Sequence, residues 1–270
     1  MKKFLIASFL FSITAFTYAQ KATTRPFVLG LIDEIKSAEL SEARILNIYL
    51  PEGYSPDSAA TYPVIYLLDG SADEDFIHVA GLAQFLSFSW INVLPKSIIV
   101  GIANVDRRRD FTFPTRNKAD LKQSPTSGSS AKFIRFLKND LEPYIQKNYK
   151  ANQHKTIIGE SLGGLLATEI LLKEPALFND YIIISPSLWW DDESLLADAK
   201  KTLEKHTDKN IQVYISVGNE GKQMQDDVDD LVKTLKPQYK VFYYPFPEEN
   251  HATIMHRSLY KAFELLNKKE

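Results

Sequence analysis

Short apolar runs alternate with segments of helical periodicity along most of the chain, and this alternation limits the possible folds more than any other feature. The clearest runs are residues 43–50, 63–68, 97–102, 156–158, 181–184, 211–217 and 240–244. Continuous apolar runs of this length are typical of strands that helices bury on both faces, as in a parallel sheet. Residues 28–39 alternate loosely and predict an edge strand.

Helical periodicity occupies several of the intervals between these runs. Apolar side chains recur at helical spacing between residues 130 and 149, and further helices are predicted at residues 162–172, 193–205, 223–235 and 253–266. Strands that alternate with helices predict an α/β fold with a mostly parallel central sheet and helices on both faces. In such a sheet, functional residues lie just after the carboxyl ends of strands.

The first nineteen residues have the pattern of a secretory signal peptide. Two lysines precede an apolar run from Phe4 to Phe16, and small residues lead to a cleavage site after Ala19. The run is too short for a convincing membrane span, so we expect no stable membrane insertion once it is removed. The sequence therefore predicts a signal peptide at residues 1–19, a single α/β domain at residues 20–270, and a periplasmic or secreted protein.

Charge and cysteine content exclude several classes of function. Lysine and arginine total 32 against 34 aspartate and glutamate residues, which gives a net charge of −2. This near-neutral balance provides no electrostatic footprint for nucleic acid. The chain has no cysteine, so it has no disulfide, thiol nucleophile or cysteine-bound metal. Nothing in the sequence indicates the oligomeric state.

A Gly-x-Ser-x-Gly motif centred on Ser161 provides the first candidate for chemistry. Three fixed positions arise by chance fairly often, but here a predicted strand precedes the motif and a predicted helix follows it. The small residues Gly159, Gly163 and Gly164 permit the sharp turn that lifts the serine hydroxyl clear of the backbone. The sequence therefore predicts Ser161 as a nucleophile.

With this motif, the chain resembles the Putative esterase (esterase D-like) family of the α/β-hydrolase superfamily. The resemblance runs from about Ala43 to the C-terminus and includes residues 48–54 (IYLPEGY), residues 66–70 (YLLDG), the serine turn and a late loop histidine. The family includes siderophore esterases, feruloyl esterases, S-formylglutathione hydrolase and mycolyltransferases. The resemblance implies acyl transfer from Ser161 to water or to another acceptor.

A serine hydroxyl needs a neighbouring imidazole to accept its proton, and five histidines are candidates. His78 and His154 precede the nucleophile, whereas the order in this fold is nucleophile, acid, histidine. His206 is at the solvated end of a predicted helix. His251 follows the last strand, at the required strand end, and is the predicted base. His256 lies five residues further on, a spacing that does not place the two on one helical face, so no metal site is expected.

The acid of a triad should follow the penultimate strand, residues 211–217. Glu220 comes directly after this strand and is the leading candidate, although related enzymes often carry aspartate there. Its role would be to fix the imidazole tautomer and to stabilise the imidazolium. Asp226 and Asp227 are alternatives if the loop folds back.

Two backbone N–H groups are expected to stabilise the oxyanion. The first belongs to Leu162, directly after the nucleophile, and the second to the loop that follows Leu68. Gly70 and Ser71 are both candidates for this second donor, and Asp69 is expected to hydrogen-bond locally within the turn.

Three further side chains are candidates for substrate binding at the same edge of the sheet. Trp189 and Trp190 follow strand 181–184 and would form a wall for an acyl or aromatic group, with core packing as the alternative. Arg109 follows strand 97–102 in an arginine cluster that would bind a carboxylate or phenolate, with a solvated Arg–Asp pair as the alternative. The long loop at residues 106–130 is of the kind that borders active sites.

These patterns together predict a secreted serine carboxylic-ester hydrolase that acts on a small-molecule ester through an acyl-enzyme. Siderophore and feruloyl-type esters are the substrates that the resemblance suggests. No cofactor or metal is implied. An acyltransferase or thioesterase of the same fold, and a catalytically silent α/β-hydrolase binding module, remain alternatives.

Overall fold

The computed structural model describes residues 22–207 and 210–268, and its centre is an eight-stranded sheet. The strands are β1 (Leu31–Ser37), β2 (Glu42–Tyr49), β3 (Tyr62–Leu67), β4 (Ile98–Ile102), β5 (Ala151–Glu160), β6 (Asp180–Ile184), β7 (Gln212–Ser216) and β8 (Lys240–Tyr243). Their order across the sheet is β1-β2-β4-β3-β5-β6-β7-β8. β1 pairs antiparallel with β2, and β2 pairs antiparallel with β4. The six strands β3 to β8 are parallel to one another.

Strand β5 lies near the centre of the sheet, and its pairing with both neighbours shows where the strands end. On one side Leu67 of β3 pairs with Ile158, and on the other side Ile184 of β6 pairs with Glu160. The carboxyl ends of these parallel strands therefore meet at one edge. The residue after Glu160 lies in the middle of this edge, flanked by the loops that follow the neighbouring strands.

Nine α-helices surround the sheet in the described part of the chain. They are α1 (Phe76–Leu86), α2 (Arg107–Phe111), α3 (Lys118–Gln123), α4 (Ser130–Phe136), α5 (Glu142–Asn148), α6 (Leu162–Lys173), α7 (Trp190–Leu203), α8 (Lys222–Leu235) and α9 (Ile254–Leu266). A π-helical segment, Leu137–Leu141, joins α4 to α5.

The helices divide into two layers because successive side chains of a strand point to opposite faces of the sheet. Ile158 packs in the cluster that α1 and α9 cover, whereas the preceding Ile157 packs in the cluster beneath α4 to α8. Both isoleucines are fully buried. Full burial of each such side chain contributes about 1.5–3 kcal/mol, so every central strand stabilises both layers.

The predicted fold class is confirmed: the sheet is mostly parallel and helices cover both faces. Each apolar run predicted as a strand overlaps an observed strand, and the loose alternation at residues 28–39 contains β1. Helix α1 was not predicted. Its apolar side chains are not confined to one face, since Ile77 is 58% exposed and Phe85 is 43% exposed, and this weakens the amphipathic pattern.

Two predictions concern membranes and targeting. The predicted signal peptide, residues 1–19, lies outside the residues that the structure describes. Within residues 22–207 and 210–268, none of the helices combines the length and the apolar character that crossing a bilayer requires.

Candidate active site

Ser161 occupies the sharp turn between β5 and α6. Its φ of 58° and ψ of −118° lie outside the helical and extended regions that L-residues prefer. Two backbone hydrogen bonds hold this conformation: Ser161 N–H donates to Ile184 O at 3.1 Å, and Ser187 N–H donates to Ser161 O at 3.0 Å. A strained strand-to-helix turn of this kind exposes the hydroxyl at the top of the sheet.

Gly159 is the residue that allows the turn to close. A Cβ atom at position 159 would lie 2.3 Å from the carbonyl oxygen of Gly163 and 2.4 Å from its carbonyl carbon. The end of β5 and the first turn of α6 are therefore in direct backbone contact. Because any side chain at this point would collide with backbone atoms, the motif requires glycine here for steric reasons.

The Ser161 side chain lies in a cleft of about 460 Å³ at the carboxyl edge of the sheet. The cleft is lined by residues from the segments that follow β5, β6, β7 and β8, including the first turn of α8: Ser161, Ser187, Trp189, Asn219, Glu220, Met224, Asn250, His251 and Ala252. Ser161 Oγ lies 3.3 Å from Ser187 Oγ, within hydrogen-bond distance.

The structure brings His251 and Glu220 together in this cleft. His251 Nδ1 is hydrogen-bonded to Glu220 Oε2. Glu220 Oε1 accepts hydrogen bonds from the Ser185 hydroxyl and, at 3.0 Å, from the Gly218 N–H. A carboxylate at Nδ1 favours the tautomer in which Nδ1 carries the proton, which leaves Nε2 as the basic nitrogen.

Backbone contacts position the two loops that carry these side chains. Gly218 and Phe246 form an isolated parallel bridge beyond the ends of β7 and β8. Asn219 N–H donates to Glu249 O at 2.7 Å. The sheet pairing thus extends into the loops, so the positions of Glu220 and His251 depend on backbone structure as well as on their side-chain contact.

The contact has opposite effects on the pKa values of the two side chains. The hydrogen bond from Glu220 raises the pKa of His251 above its ordinary value, against the opposing effect of burial. Burial alone would raise the pKa of Glu220, but hydrogen bonds from His251 and Ser185 outweigh it and lower that pKa. Glu220 is therefore ionised near neutral pH and stabilises a positive charge on the imidazole.

The alternative acids lie elsewhere. Asp226 is exposed on α8 and forms an ion pair with Lys222 one turn away. Asp227 is a buried residue of the same helix, and its Oδ2 atom has no hydrogen-bond partner. Of the three carboxylates considered from the sequence, Glu220 is the one that contacts His251.

The predicted oxyanion donors are only partly available. Leu162 is the first residue of α6. Its N–H has no acceptor within the helix, because the first N–H groups of any α-helix lack one. The N–H of Gly70 donates to Ile102 O at 3.0 Å, so the prediction that Gly70 is a donor is wrong. Ser71 N–H lies 3.4 Å from Glu74 Oε2, a weak contact that leaves it as the remaining candidate.

The Asp69 carboxylate is held by a neighbouring arginine. Arg107 donates from Nε to Oδ1 at 2.6 Å and from Nη2 to Oδ2 at 2.8 Å, and Asn104 donates to Oδ1 at 2.7 Å. Arg107 Nη2 also reaches the carbonyl oxygen of Glu160 at 3.3 Å. This paired arrangement partly neutralises the Asp69 charge and links the loop after β3 to the serine turn.

The two tryptophans have different environments. Trp189 is half-buried and lines the cleft. Trp190 is 1% exposed, and its indole N–H donates to Phe113 O at 2.9 Å. The prediction that Trp190 binds substrate is therefore wrong, because its ring packs in the core and its polar atom is already paired there.

Comparison with known proteins identifies the family. The family model described as Putative esterase matches residues 37–243. The ferri-bacillibactin esterase BesA of Bacillus subtilis is 30% identical over 232 residues, which cover 79% of this chain and 80% of that protein. The chain belongs to this esterase family.

Solved structures agree with this assignment. The crystal structure of an IroE-like serine hydrolase from Shewanella oneidensis is 31% identical, with a TM-score of 0.80, and covers 88% of this chain and 80% of that chain. The BES protein of Bacillus cereus is 26% identical with a TM-score of 0.80, and covers 93% and 99% of the two chains. The protein is thus a serine ester hydrolase with the α/β-hydrolase fold.

Arg109, which the sequence predicted to bind substrate, is not among the residues that line the cleft of this esterase. Its guanidinium pairs with Glu42 and, from Nε at 2.8 Å, with Asp110. The predicted role of Arg109 in substrate binding is therefore wrong, because carboxylates of β2 and α2 already occupy its donors. The neighbouring Arg107, through Asp69 and Glu160, is the arginine next to the esterase site.

Several lining residues of the esterase cleft were not identified from the sequence. Ser187, Asn219, Met224 and Asn250 all follow carboxyl ends of strands, and this position is the signal that would have found them. Across residues 22–207 and 210–268, no group of three or more histidine and carboxylate side chains is arranged to hold a metal ion.

Proposed function

We propose that Ser161, His251 and Glu220 form the catalytic triad of a secreted or periplasmic esterase that hydrolyses siderophore or feruloyl-type esters. The observation that carries this proposal is the position of Glu220. Its carboxylate bridges His251 Nδ1 and the Ser185 hydroxyl at the edge of the cleft that contains Ser161. Nucleophile, acid and base also follow one another along the chain, which is the order of the α/β-hydrolase fold.

In the acylation step, Ser161 Oγ attacks the ester carbonyl carbon while His251 Nε2 accepts the hydroxyl proton. The N–H groups of Leu162 and Ser71 stabilise the negative charge on the tetrahedral oxygen. The C–O bond to the leaving alcohol then breaks, and His251 returns the proton to that oxygen. Glu220 remains ionised throughout and stabilises the transient imidazolium.

In the deacylation step, water replaces the departed alcohol beside His251. The imidazole accepts a proton from this water as its oxygen attacks the acyl-enzyme carbonyl. Collapse of the second tetrahedral intermediate breaks the bond to Ser161 Oγ, which regains its proton from His251. The products are the free acid, the alcohol and the unmodified enzyme.

The primary test compares the wild type with Ser161→Ala and Ser187→Ala on 4-nitrophenyl acetate. Ser161→Ala should reduce kcat by about 10⁴- to 10⁶-fold, whereas Ser187→Ala retains the nucleophile and should lose far less. A stable phosphoryl adduct on Ser161, detected by mass spectrometry after treatment with an organophosphate, would support the same assignment. Wild-type turnover by Ser161→Ala would refute the mechanism.

The substrate class is supported by the relatives and by the shape of the site. BesA is named a ferri-bacillibactin esterase, and the cleft of this chain is open and lined by the segments that follow four strands, which suits a bulky ester. A panel of catecholate siderophore lactones, feruloyl sugars and short acyl esters would test the class. We expect kcat/KM to be highest for one of the first two groups; a preference for short acyl esters would refute the substrate class and leave the triad intact.

The location is supported by the positive start, apolar run and small residues of the first nineteen positions. Fractionation of cells that express the C-terminally tagged chain should place it in the periplasm or the medium. Deletion of residues 2–19 should retain it in the cytoplasm. Cytoplasmic retention of the full chain would contradict this part of the proposal.

A further inference from the structure

Two apolar side chains from different segments line the cleft beside Ser161. Trp189 comes from the connection between β6 and α7, and Met224 comes from the first turn of α8. Both are half-buried and pack against the main core cluster. An acyl group attached to Ser161 that enters the space between them would contact both, so their separation determines which groups fit.

The segment that follows Trp189 has an unusual backbone. Asp191, Asp192 and Glu193 have φ values of 53°, 52° and 62°, so three consecutive residues with side chains adopt the left-handed conformation. Non-glycine residues rarely adopt it, and almost never in succession. Such a turn persists only where surrounding contacts determine it.

One set of these contacts comes from the loop at residues 113–120. Asp191 Oδ1 accepts a hydrogen bond from the Thr115 hydroxyl at 3.0 Å, and Asp191 N–H donates to Asp120 Oδ2 at 3.0 Å. Asn117 Nδ2 donates to Asp192 Oδ1 at 2.7 Å. These bonds fix the first two residues of the left-handed turn and leave the third, Glu193, to a different partner.

That partner is helix α8. Gln223 Nε2 donates to Glu193 Oε1 at 2.9 Å, and Gln223 directly precedes Met224 in the helix. Asp227 lies one turn further along α8, and its pKa is raised to about 6. Burial is the largest cause, and the negative charge of Glu193 is the second. The last residue of the strained turn is thus hydrogen-bonded to the helix that carries Met224.

We propose that the hydrogen bond between Glu193 and Gln223, which we call the cleft latch, sets the separation of Trp189 and Met224 and thereby selects the acyl groups that the esterase accepts. This inference rests on the proposed function, because it concerns the acyl group carried by Ser161. Glu193 and Gln223 are positioning residues. Without the latch, the left-handed turn loses one of the contacts that determine it and relaxes towards the right-handed conformation, which moves Trp189.

The enzymatic test measures kcat and KM for 4-nitrophenyl esters from acetate to octanoate. In Gln223→Ala and in Gln223→Glu, which places two carboxylates together, the octanoate-to-acetate ratio of kcat/KM should change by about tenfold, mainly through KM. The double variant Glu193→Gln with Gln223→Glu restores an amide–carboxylate pair and should restore the ratio. Lys222→Ala, which removes an exposed ion pair on the adjacent residue, is the control and should keep the wild-type ratio.

A fluorescence measurement decides the same question without turnover. In a Trp90→Phe background the remaining indoles are Trp189, which is half-buried, and Trp190, which is buried, so acrylamide quenching reports mainly Trp189. Gln223→Ala should increase quenching, and the swapped pair should reverse the increase. Unchanged quenching and an unchanged ester profile in a folded Gln223→Ala protein would overturn the latch. If turnover proves independent of Ser161, the proposed function fails, and the quenching result still decides the latch.

Discussion

Glu220 acts on His251 through a single side-chain contact, and the consequences of that contact are measurable. The hydrogen bond raises the pKa of His251, so the imidazole becomes a base only above a higher pH than an isolated histidine would require. We expect Glu220→Gln to lower kcat by about 10⁴-fold, since the amide favours the wrong tautomer. The acid limb of the kcat/KM profile should move to lower pH, because the largest cause of the raised pKa is gone.

The control for this prediction is Asp226→Asn, which removes a carboxylate from α8 but leaves the contact with His251. Its pH profile should match that of the wild type. Loss of activity in Asp226→Asn with retention in Glu220→Gln would move the triad acid to α8 and require the loop to rearrange.

Glu160 is a second carboxyl group with an electrostatic effect on His251, the proposed base. Burial is the largest cause that raises its pKa, to about 7, and the nearby Asp75 and Glu220 add to it. Glu160 Oε1 is buried and has no hydrogen-bond partner. As the pH rises through about 7, Glu160 ionises, and its charge then raises the pKa of His251.

Glu160→Gln removes this charge and keeps the side-chain shape. The pKa of His251 should fall, so the acid limb of kcat/KM should move to lower pH, by less than in Glu220→Gln. The experiment is a pH profile on a neutral ester, with His251 also followed by NMR in the Ser161→Ala background. An acid limb that stays in place or moves to higher pH would show that Glu160 does not influence the base.

Sequence order was sufficient to nominate Ser161, Glu220 and His251 as candidates, because each follows a strand end and the fold places nucleophile, acid and histidine in that order along the chain. It failed for Trp190, Arg109 and Gly70, since the direction of a side chain or N–H depends on distant partners. The partners in question are Phe113 O, the Glu42 carboxylate and Ile102 O, none of them adjacent in sequence.

At the scale of secondary-structure elements, we expect substitution of glycine by alanine to have opposite effects on stability at two positions. A Cβ at Gly159, at the end of β5, would collide with the backbone of Gly163, whereas a Cβ at Gly81 within α1 meets nothing within 4 Å. Gly159→Ala should destabilise the protein by about 1–3 kcal/mol through overpacking. Gly81→Ala should stabilise it by about 0.5–1 kcal/mol, because alanine has the better helix propensity.

Urea unfolding of the two variants tests this pair, together with activity measured under native conditions. Gly159→Ala should also lose activity, because the turn that positions Ser161 must shift. Equal effects at the two positions, or full activity in Gly159→Ala, would mean that the contact between β5 and α6 can relax without disturbing the nucleophile.

The same scale explains which elements could be predicted. Strands β2 to β7 contain buried apolar runs and β8 contains a half-buried one, so local composition identifies them. The loop predicted at residues 106–130 instead contains α2 and α3, of five and six residues. Helices this short have little intrinsic stability, and the capping bonds that Asp106 and Asn117 accept at their N-termini help to determine them. Sequence periodicity does not report such contacts.

At the scale of the whole molecule, a buried ion pair connects the antiparallel edge of the sheet to the helical layer. The side chains of Arg44 in β2 and Asp110 in α2 are each 1% exposed, and Arg44 Nη2 lies 2.5 Å from Asp110 Oδ2. The guanidinium also lies over the ring of Phe133 in α4, 5.4 Å from its centroid. Because both charges are removed from water, loss of either partner leaves the other in an unfavourable environment.

Arg44→Met replaces the buried cation with an apolar side chain of similar length and leaves Arg109 as the remaining partner of Asp110. Breaking a buried pair costs about 3–5 kcal/mol, and since one partner remains we expect a loss near the lower limit of that range. Urea unfolding followed by tryptophan fluorescence and by far-ultraviolet circular dichroism should show one coincident transition, because the sheet is continuous from β1 to β8. Lys233→Ala, which removes an exposed pair on α8, should leave the midpoint unchanged. Two separate transitions in Arg44→Met would show that β1 and β2 unfold independently of the parallel strands that carry the site.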